Sequence, residues 1–295
     1  MKARGFLILL ASIGALLAAG TGAGGSARAS APPTPKGLIF WNTLSSAYDV
    51  THSAVGPNLV MFDCHDPWTP HFGERCSVDI NGRLAFVDGP HGPAATIAHH
   101  GYFPEARVHT ALLEKSLLNP EHGAIEAWYR QTKDPVPFRD NPHRIFAGGY
   151  NLGGAGDVNL QVQDRVDSRD PRLHFSVFFG RNVPHPTIIW ARSIRDHRIG
   201  YPISRLTGRW IHVAGVWDRN GIAGSRDTVR LYVNGRVVAR SLKRTWGTTT
   251  CDKRQVGCFD DVVGCNDTCG RTFAVEDLKI WDYAKTNYPR RPSRS

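Results

Sequence analysis

Three features of the sequence predict an all-β fold, a sandwich or a barrel around one hydrophobic core: apolar residues alternating with period two, a strong hairpin signal, and almost no helix-period patterning. The clearest alternation runs over residues 172–179, where Leu173, Phe175, Val177 and Phe179 face one side and Arg172, His174 and Ser176 the other. Val229, Leu231 and Val233 alternate in the same way against Arg230, Tyr232 and Asn234, and this strand runs straight into Asn234-Gly235. Asn-Gly supplies the two positive φ angles of a type I′ turn, so Arg236-Val237-Val238-Ala239 is expected to fold back as the partner strand. The expected register sets Leu231 opposite Val238 and Tyr232 opposite Val237. Further strands are expected at 122–130, 143–150, 157–163, 187–194, 208–218 and 271–282. Ala111–Leu118 has room for one or two helical turns before Asn119-Pro120 stops it.

The N-terminus reads as an export signal. Lys2 and Arg4 precede the apolar run Phe6 to Ala19, and Ala27-Arg28-Ala29 offers small residues for cleavage. The run is shorter than the about 20 apolar residues a membrane span needs. Residues 1–29 are therefore expected to be a signal peptide, with no membrane span after cleavage and a secreted, extracellular product. Residues 30–36, rich in Ala, Pro and Thr, form a short leader. No comparable linker interrupts 37–286, which is expected to be one domain, followed by a basic disordered tail at 287–295. The formal charge of +10 favours anionic partners, but apart from Arg290, Arg291 and Arg294 the basic residues are scattered. Such a balance attracts uronate-, sulfate- or phosphate-bearing polymers and also nucleic acid; the expected partner is a glycan or a cell-surface or matrix polymer, an anionic one included, and not nucleic acid.

Six cysteines behind an export signal imply disulfides. Cys64 and Cys76 bracket one loop, while Cys251, Cys258, Cys265 and Cys269 cluster near the C-terminus. Local pairing (Cys64–Cys76, Cys251–Cys258, Cys265–Cys269) closes three short loops. The last four lack the paired C-x-x-C spacing of a zinc site.

Segments in consistent order resemble the laminin-G-like and pentraxin-like jelly rolls of the concanavalin A-like lectin/glucanase superfamily. They are Gly123-Ala124-Ile125-Glu126-Ala127-Trp128-Tyr129-Arg130; Arg209-Trp210-Ile211-His212-Val213-Ala214-Gly215-Val216-Trp217-Asp218 with Arg230-Leu231-Tyr232-Val233-Asn234-Gly235; and Phe273-Ala274-Val275-Glu276-Asp277-Leu278-Lys279-Ile280-Trp281-Asp282. Phe40-Trp41 through Ser53–Asn58 is similar to the opening strand and loop. The resemblance implies two antiparallel sheets packed face to face, an extracellular setting and carbohydrate or protein ligands. Many such domains also hold a structural calcium near chain start and end, which points to Asp49 and Glu276. The superfamily has Asp where this chain has Glu276, and Glu276 is expected to share a face with Leu278 and Ile280.

The residues favour binding over catalysis. A retaining glucanase of this fold needs two carboxylates about 5–5.5 Å apart, usually as Glu-x-Asp-x-x-Glu, and no Glu here is followed by Asp two positions later. A polysaccharide lyase, the alternative reading, is similar at Gln161-Val162-Gln163 to the Gln-x-His strand of alginate lyases, but Gln163 replaces the His. No G-x-S-x-G or P-loop is present. Sugars stack on exposed aromatic faces, which makes Trp68, Tyr150, Trp190 and Trp246 the ligand-binding candidates. Residues 211–216 are apolar on both faces, so their strand is expected to be covered on both, with His212 hydrogen-bonded to a neighbour.

Overall fold

The computed structural model describes residues 33–62, 84–97, 105–109, 118–119, 121–131, 143–148, 158–163, 172–179, 187–242, 260–264 and 273–290. The expected signal peptide, the six cysteines, the short helix before Asn119, Trp68, Tyr150 and Trp246 lie outside the described residues. Thr34–Ser295 forms one compact unit.

The described residues form two antiparallel sheets, as the alternation predicts. The strands of the first are β1 (Leu38–Asn42), β3 (Leu84–Asp88), β4 (Pro93–Ile97), β6 (His122–Gln131), β11 (Arg192–Ser193), β13 (Ile211–Asp218), β14 (Val229–Val233), β15 (Arg236–Ser241) and β17 (Phe273–Trp281). Their order is β11-β15-β14-β13-β6-β17-β4-β3, with β1 also paired to β17. The second sheet contains β2 (Leu59–Phe62), β5 (Glu105–His109), β7 (His143–Gly148), β8 (Val158–Gln163), β9 (Arg172–Phe179), β10 (Thr187–Trp190), β12 (Tyr201–Pro202) and β16 (Asp260–Gly264). Its order is β10-β9-β8-β7-β16-β5-β2, with β12 on β9. A short helix, α1 (Ala47–Thr51), follows β1.

The core lies between the sheets. Ile125, Ala127 and Tyr129 of β6, Ile211, Val213 and Trp217 of β13, and Val229 and Leu231 of β14 meet Leu160, Leu173, Phe175 and Val177 from the second sheet. Non-polar area removed from water supplies the main favourable term, about 25 cal/mol per Å². Gly215 admits the approach of Phe175, whose ring occupies the space a side chain there would fill.

The hairpin forms at Asn234-Gly235 with φ of 48° and 70°, the two positive angles a type I′ turn requires. Its register differs in one place from the expected one. Tyr232 pairs with Val237, but Leu231 pairs with Ala239, because a β-bulge at Val238 inserts one residue.

A second irregularity corrects the expectation for Glu276. In β17 Glu276 lies opposite Trp128 and Lys279 opposite Glu126, so the extra residue falls between them. Asp277 takes it up with φ of 61°. Past this bulge the alternation is inverted: Leu278 and Ile280 point into the core, while Glu276 and Lys279 share the outer face. The bulge also splits the free edge of β17, whose first half pairs with β4 and second half with β1.

The outer face of the first sheet is covered, as the apolar pattern of β13 requires. Ala214, Val216 and Tyr232 form a second apolar cluster with Leu38, Ile222, Trp281 and Tyr288. Tyr288 is only 6% exposed, so the expected free tail starts too early at residue 287. The segment after β17 crosses the sheet as a strap, with the Tyr288 hydroxyl donating to the Lys285 carbonyl at 2.8 Å.

Candidate functional site

The strap, β1, β6, β13 and β17 together frame an open cleft of about 360 Å³ on the outer face of the first sheet. Its walls include Trp41, His91, Glu126, Trp128, His212, Asp277, Lys279, Trp281 and Lys285. Position along the strands decides this set. Glu126 and Trp128 are the outward residues between Ile125, Ala127 and Tyr129, and His212 sits opposite Trp128 on β13.

Glu126 is the anchor of the floor. It is 4% exposed and accepts hydrogen bonds from His212 Nε2 at 2.9 Å, from Trp281 Nε1 at 2.6 Å and from Lys285 Nζ. Burial alone raises a carboxyl pKa, but the hydrogen bonds and favourable electrostatics of His212 and Lys285 outweigh it and hold Glu126 down at about 2. Burial pulls His212 below the ordinary histidine value, opposed by its hydrogen bond to the adjacent carboxylate. Lys285 lies over the rings of Trp281 and Tyr288, at 4.1 and 5.0 Å, which fixes the strap to the sheet.

The rim is polar and more accessible. Asp277 accepts from Trp41 Nε1 at 2.6 Å and from Lys279 Nζ at 2.7 Å, and Lys279 rests over the Trp41 ring at 4.8 Å. The exposed His91 ring has Nδ1 3.5 Å from Asp277 and packs edge-on against Trp128. The left-handed conformation of Asp277 aims its carboxylate at this group. A short polar side chain tolerates that backbone geometry better than most non-glycine residues.

Glu276 sits beside the cleft. One oxygen accepts the His91 backbone N–H at 3.0 Å, while Oε2 is buried with no hydrogen-bond partner. Burial, helped by repulsion from Asp277 and opposed by the His91 N–H, raises its pKa from 4.5 to about 7. The folded protein therefore binds a proton that the unfolded chain releases, and stability falls as pH rises from 4.5 through about 7. Glu276→Gln is expected to remove this loss, so that the variant exceeds the wild type by roughly 1–3 kcal/mol at pH 8 and not at pH 4. Urea melts at the two pH values measure it; equal differences at both would reject the assignment.

Of the residues expected for calcium, Asp49 lies in α1 and Glu276 in β17. Asp49 accepts from Ser45 Oγ at 2.6 Å and Ser46 Oγ at 2.7 Å and helps cap α1, and it shares no hydrogen-bond partner with Glu276. Calcium prefers six to eight oxygen ligands. Among the described residues no group of three or more His, Cys, Asp or Glu converges on a point that could hold a metal ion. Trp190 ends β10 half-buried in the second sheet, its ring edge-on to His174 at 5.8 Å, and does not line the cleft.

Sequence reasoning thus passed over Trp41, His91, Glu126, Asp277, Lys279 and Lys285 as a site. One signal pointed there: Glu126 is a lone carboxylate inside an otherwise apolar strand, where it needs several donors. The bulge that places Asp277 leaves no such trace.

The fold agrees with comparison to known proteins. Residues 109–287, more than half of the chain, match the Laminin_G_3 family, and the chain belongs to the concanavalin A-like lectin/glucanases superfamily. No curated protein sequence matches the chain. Among solved structures it is similar to the botulinum neurotoxin serotype G binding domain (13% identity, TM-score 0.47), covering 84% of this chain and 48% of that one. It is also similar to the Ruminococcus gnavus IT-sialidase CBM40 bound to alpha2,3 sialyllactose, at 14% identity and a TM-score of 0.35 over 60% of this chain and 82% of that one. Trypanosoma rangeli sialidase matches at 14% identity and a TM-score of 0.41, over 86% of this chain and 31% of the sialidase. The chain spans about half the length of the neurotoxin binding domain.

Proposed function

We propose that this is a secreted carbohydrate-binding domain that takes a glycan of a cell surface or matrix in the cleft on the outer face of the first sheet. The supporting observation is the rim, where Asp277 joins Trp41, Lys279 and His91 at the edge of an open cleft whose floor is held by the hydrogen bonds to Glu126. Glycan recognition uses such pairing of an indole with fixed polar groups, since a pyranose offers an apolar C–H face and a ring of hydroxyls. Glu126 holds the floor in place. Its three donors and its low pKa suit a structural carboxylate rather than a proton donor, which favours binding over hydrolysis.

A glycan array tests the reading. The wild type is expected to bind a defined set of oligosaccharides, and Trp41→Ala and Asp277→Ala each to weaken that binding about tenfold or more, the loss of about 1.4 kcal/mol of contact. No binding to any glycan, or unchanged binding by both variants, would refute it.

A further inference from the structure

The far half of the same sheet carries a feature that the cleft does not use. Arg192 of β11 is the cross-strand partner of Arg240 on β15, and Arg240 is the partner of Arg230 on β14. Directly opposed residues share a face, and the neighbours Ala239 and Leu231 point into the core, so all three arginines stand on the outer face. Adjacent strands lie about 4.8 Å apart, so the row is an arginine ladder across three strands. Like charges directly opposite one another destabilise a sheet.

Among the described residues one carboxylate serves this row. Asp227, buried, receives Arg230 Nε at 2.8 Å and has Arg240 NH1 at 3.5 Å. Arg230 is further held by the Ser225 hydroxyl at 2.8 Å, and Arg192 donates to the His197 carbonyl at 3.3 Å. The guanidinium groups are therefore positioned, while the ladder keeps an excess of positive charge. Arg192 is exposed, and so is the Arg240 side chain at 52%.

From this we infer a second binding surface, separate from the cleft, for a polysaccharide bearing sulfate or carboxylate groups. Guanidinium is a planar fork that holds such oxyanions in bidentate fashion, and a ladder repeating at strand spacing presents several forks to an extended chain. Two other polyanions fit less well. Single-stranded nucleic acid needs an aromatic platform for its bases, and the ring that Arg230 touches among the described residues, Tyr232, is 3% exposed. An anionic membrane calls for an amphipathic helix or a broad apolar patch, whereas the exposed aliphatic residues here are Ile194 and Leu242 among the described residues.

Dextran sulfate, polygalacturonate, neutral dextran, duplex DNA and phosphatidylserine vesicles are the probes, tested on the full chain at fixed ionic strength. The double variant Arg192→Ser/Arg240→Ser is compared with Arg205→Ser/Arg209→Ser, which removes the same charge from exposed positions elsewhere. The expected result is binding to dextran sulfate or polygalacturonate and not to neutral dextran. The ladder variant should lose it about tenfold or more, against less than about twofold for the control. Equal losses in both variants would reduce the effect to net charge and overturn the inference. So would the absence of binding to either polyanionic polysaccharide, or tighter binding to DNA or vesicles. Glycan recognition in the cleft is read by Trp41→Ala on neutral oligosaccharides, so the two readings fail separately.

Discussion

Glu126→Ala is expected to cost about 3–5 kcal/mol of folding stability, the range for removing one partner of a buried ionic cluster. Three donors, from His212, Trp281 and Lys285, lose their acceptor at once, and the Lys285 ammonium remains partly buried without its carboxylate. Glu126→Gln should cost less, because it keeps acceptor oxygen for Trp281 while losing the charge that Lys285 faces. The pH profile adds an independent check. With a folded pKa of about 2 against 4.5 for a free glutamate carboxyl, Glu126 contributes stability in full above pH 4.5 and loses it as pH falls towards 2. The wild type should therefore lose stability across that acid window, and the alanine variant should lack this component. Because Lys285 ties the strap to the sheet, trypsin cleavage after Lys285 should also accelerate in the variant. Unchanged urea midpoints with an unchanged acid profile would show that Glu126 is not an anchor.

Trp217→Ala is the second large effect, again about 3–5 kcal/mol, through a cavity in the core. Trp217 heads the fully buried side chains by volume, lies against Phe175 at 6.3 Å, and donates its indole N–H to the Asn119 carbonyl at 2.9 Å. Its cross-strand partner is Gly123, and the ring fills the space that a side chain at 123 would need. This pairing makes the prediction specific. Gly123→Val alone should destabilise by about 1–3 kcal/mol through overpacking. In the Trp217→Ala background the valine fills part of the cavity, so the double variant should be more stable than the sum of the singles by about 1–2 kcal/mol. Simple additivity in urea melts would show that the two positions do not compete for one space.

The candidate site was legible only in fragments. His212 could be read as a covered histidine because its strand is apolar on both faces, and it does bond to Glu126. Glu126 is a charge in an apolar run, a signal that sequence reasoning passed over. The link from these to Trp41, His91 and Lys285 joins residues far apart in the chain, and no local pattern encodes it. Trp41 was not among the aromatic candidates; it reaches the cleft because β1 is pinned to the second half of β17.

By itself the sequence determined the all-β class, the hairpin at Asn234-Gly235 and the superfamily, since alternation, turn chemistry and short motifs are set by residues near one another. Tertiary structure alone decided which way Glu276 points, where Asp277 lies and which arginines stand side by side. Each depends on cross-strand register, and a single bulge reverses the face of every residue beyond it. Short-range preferences decide whether a strand forms; packing between strands decides what that strand presents.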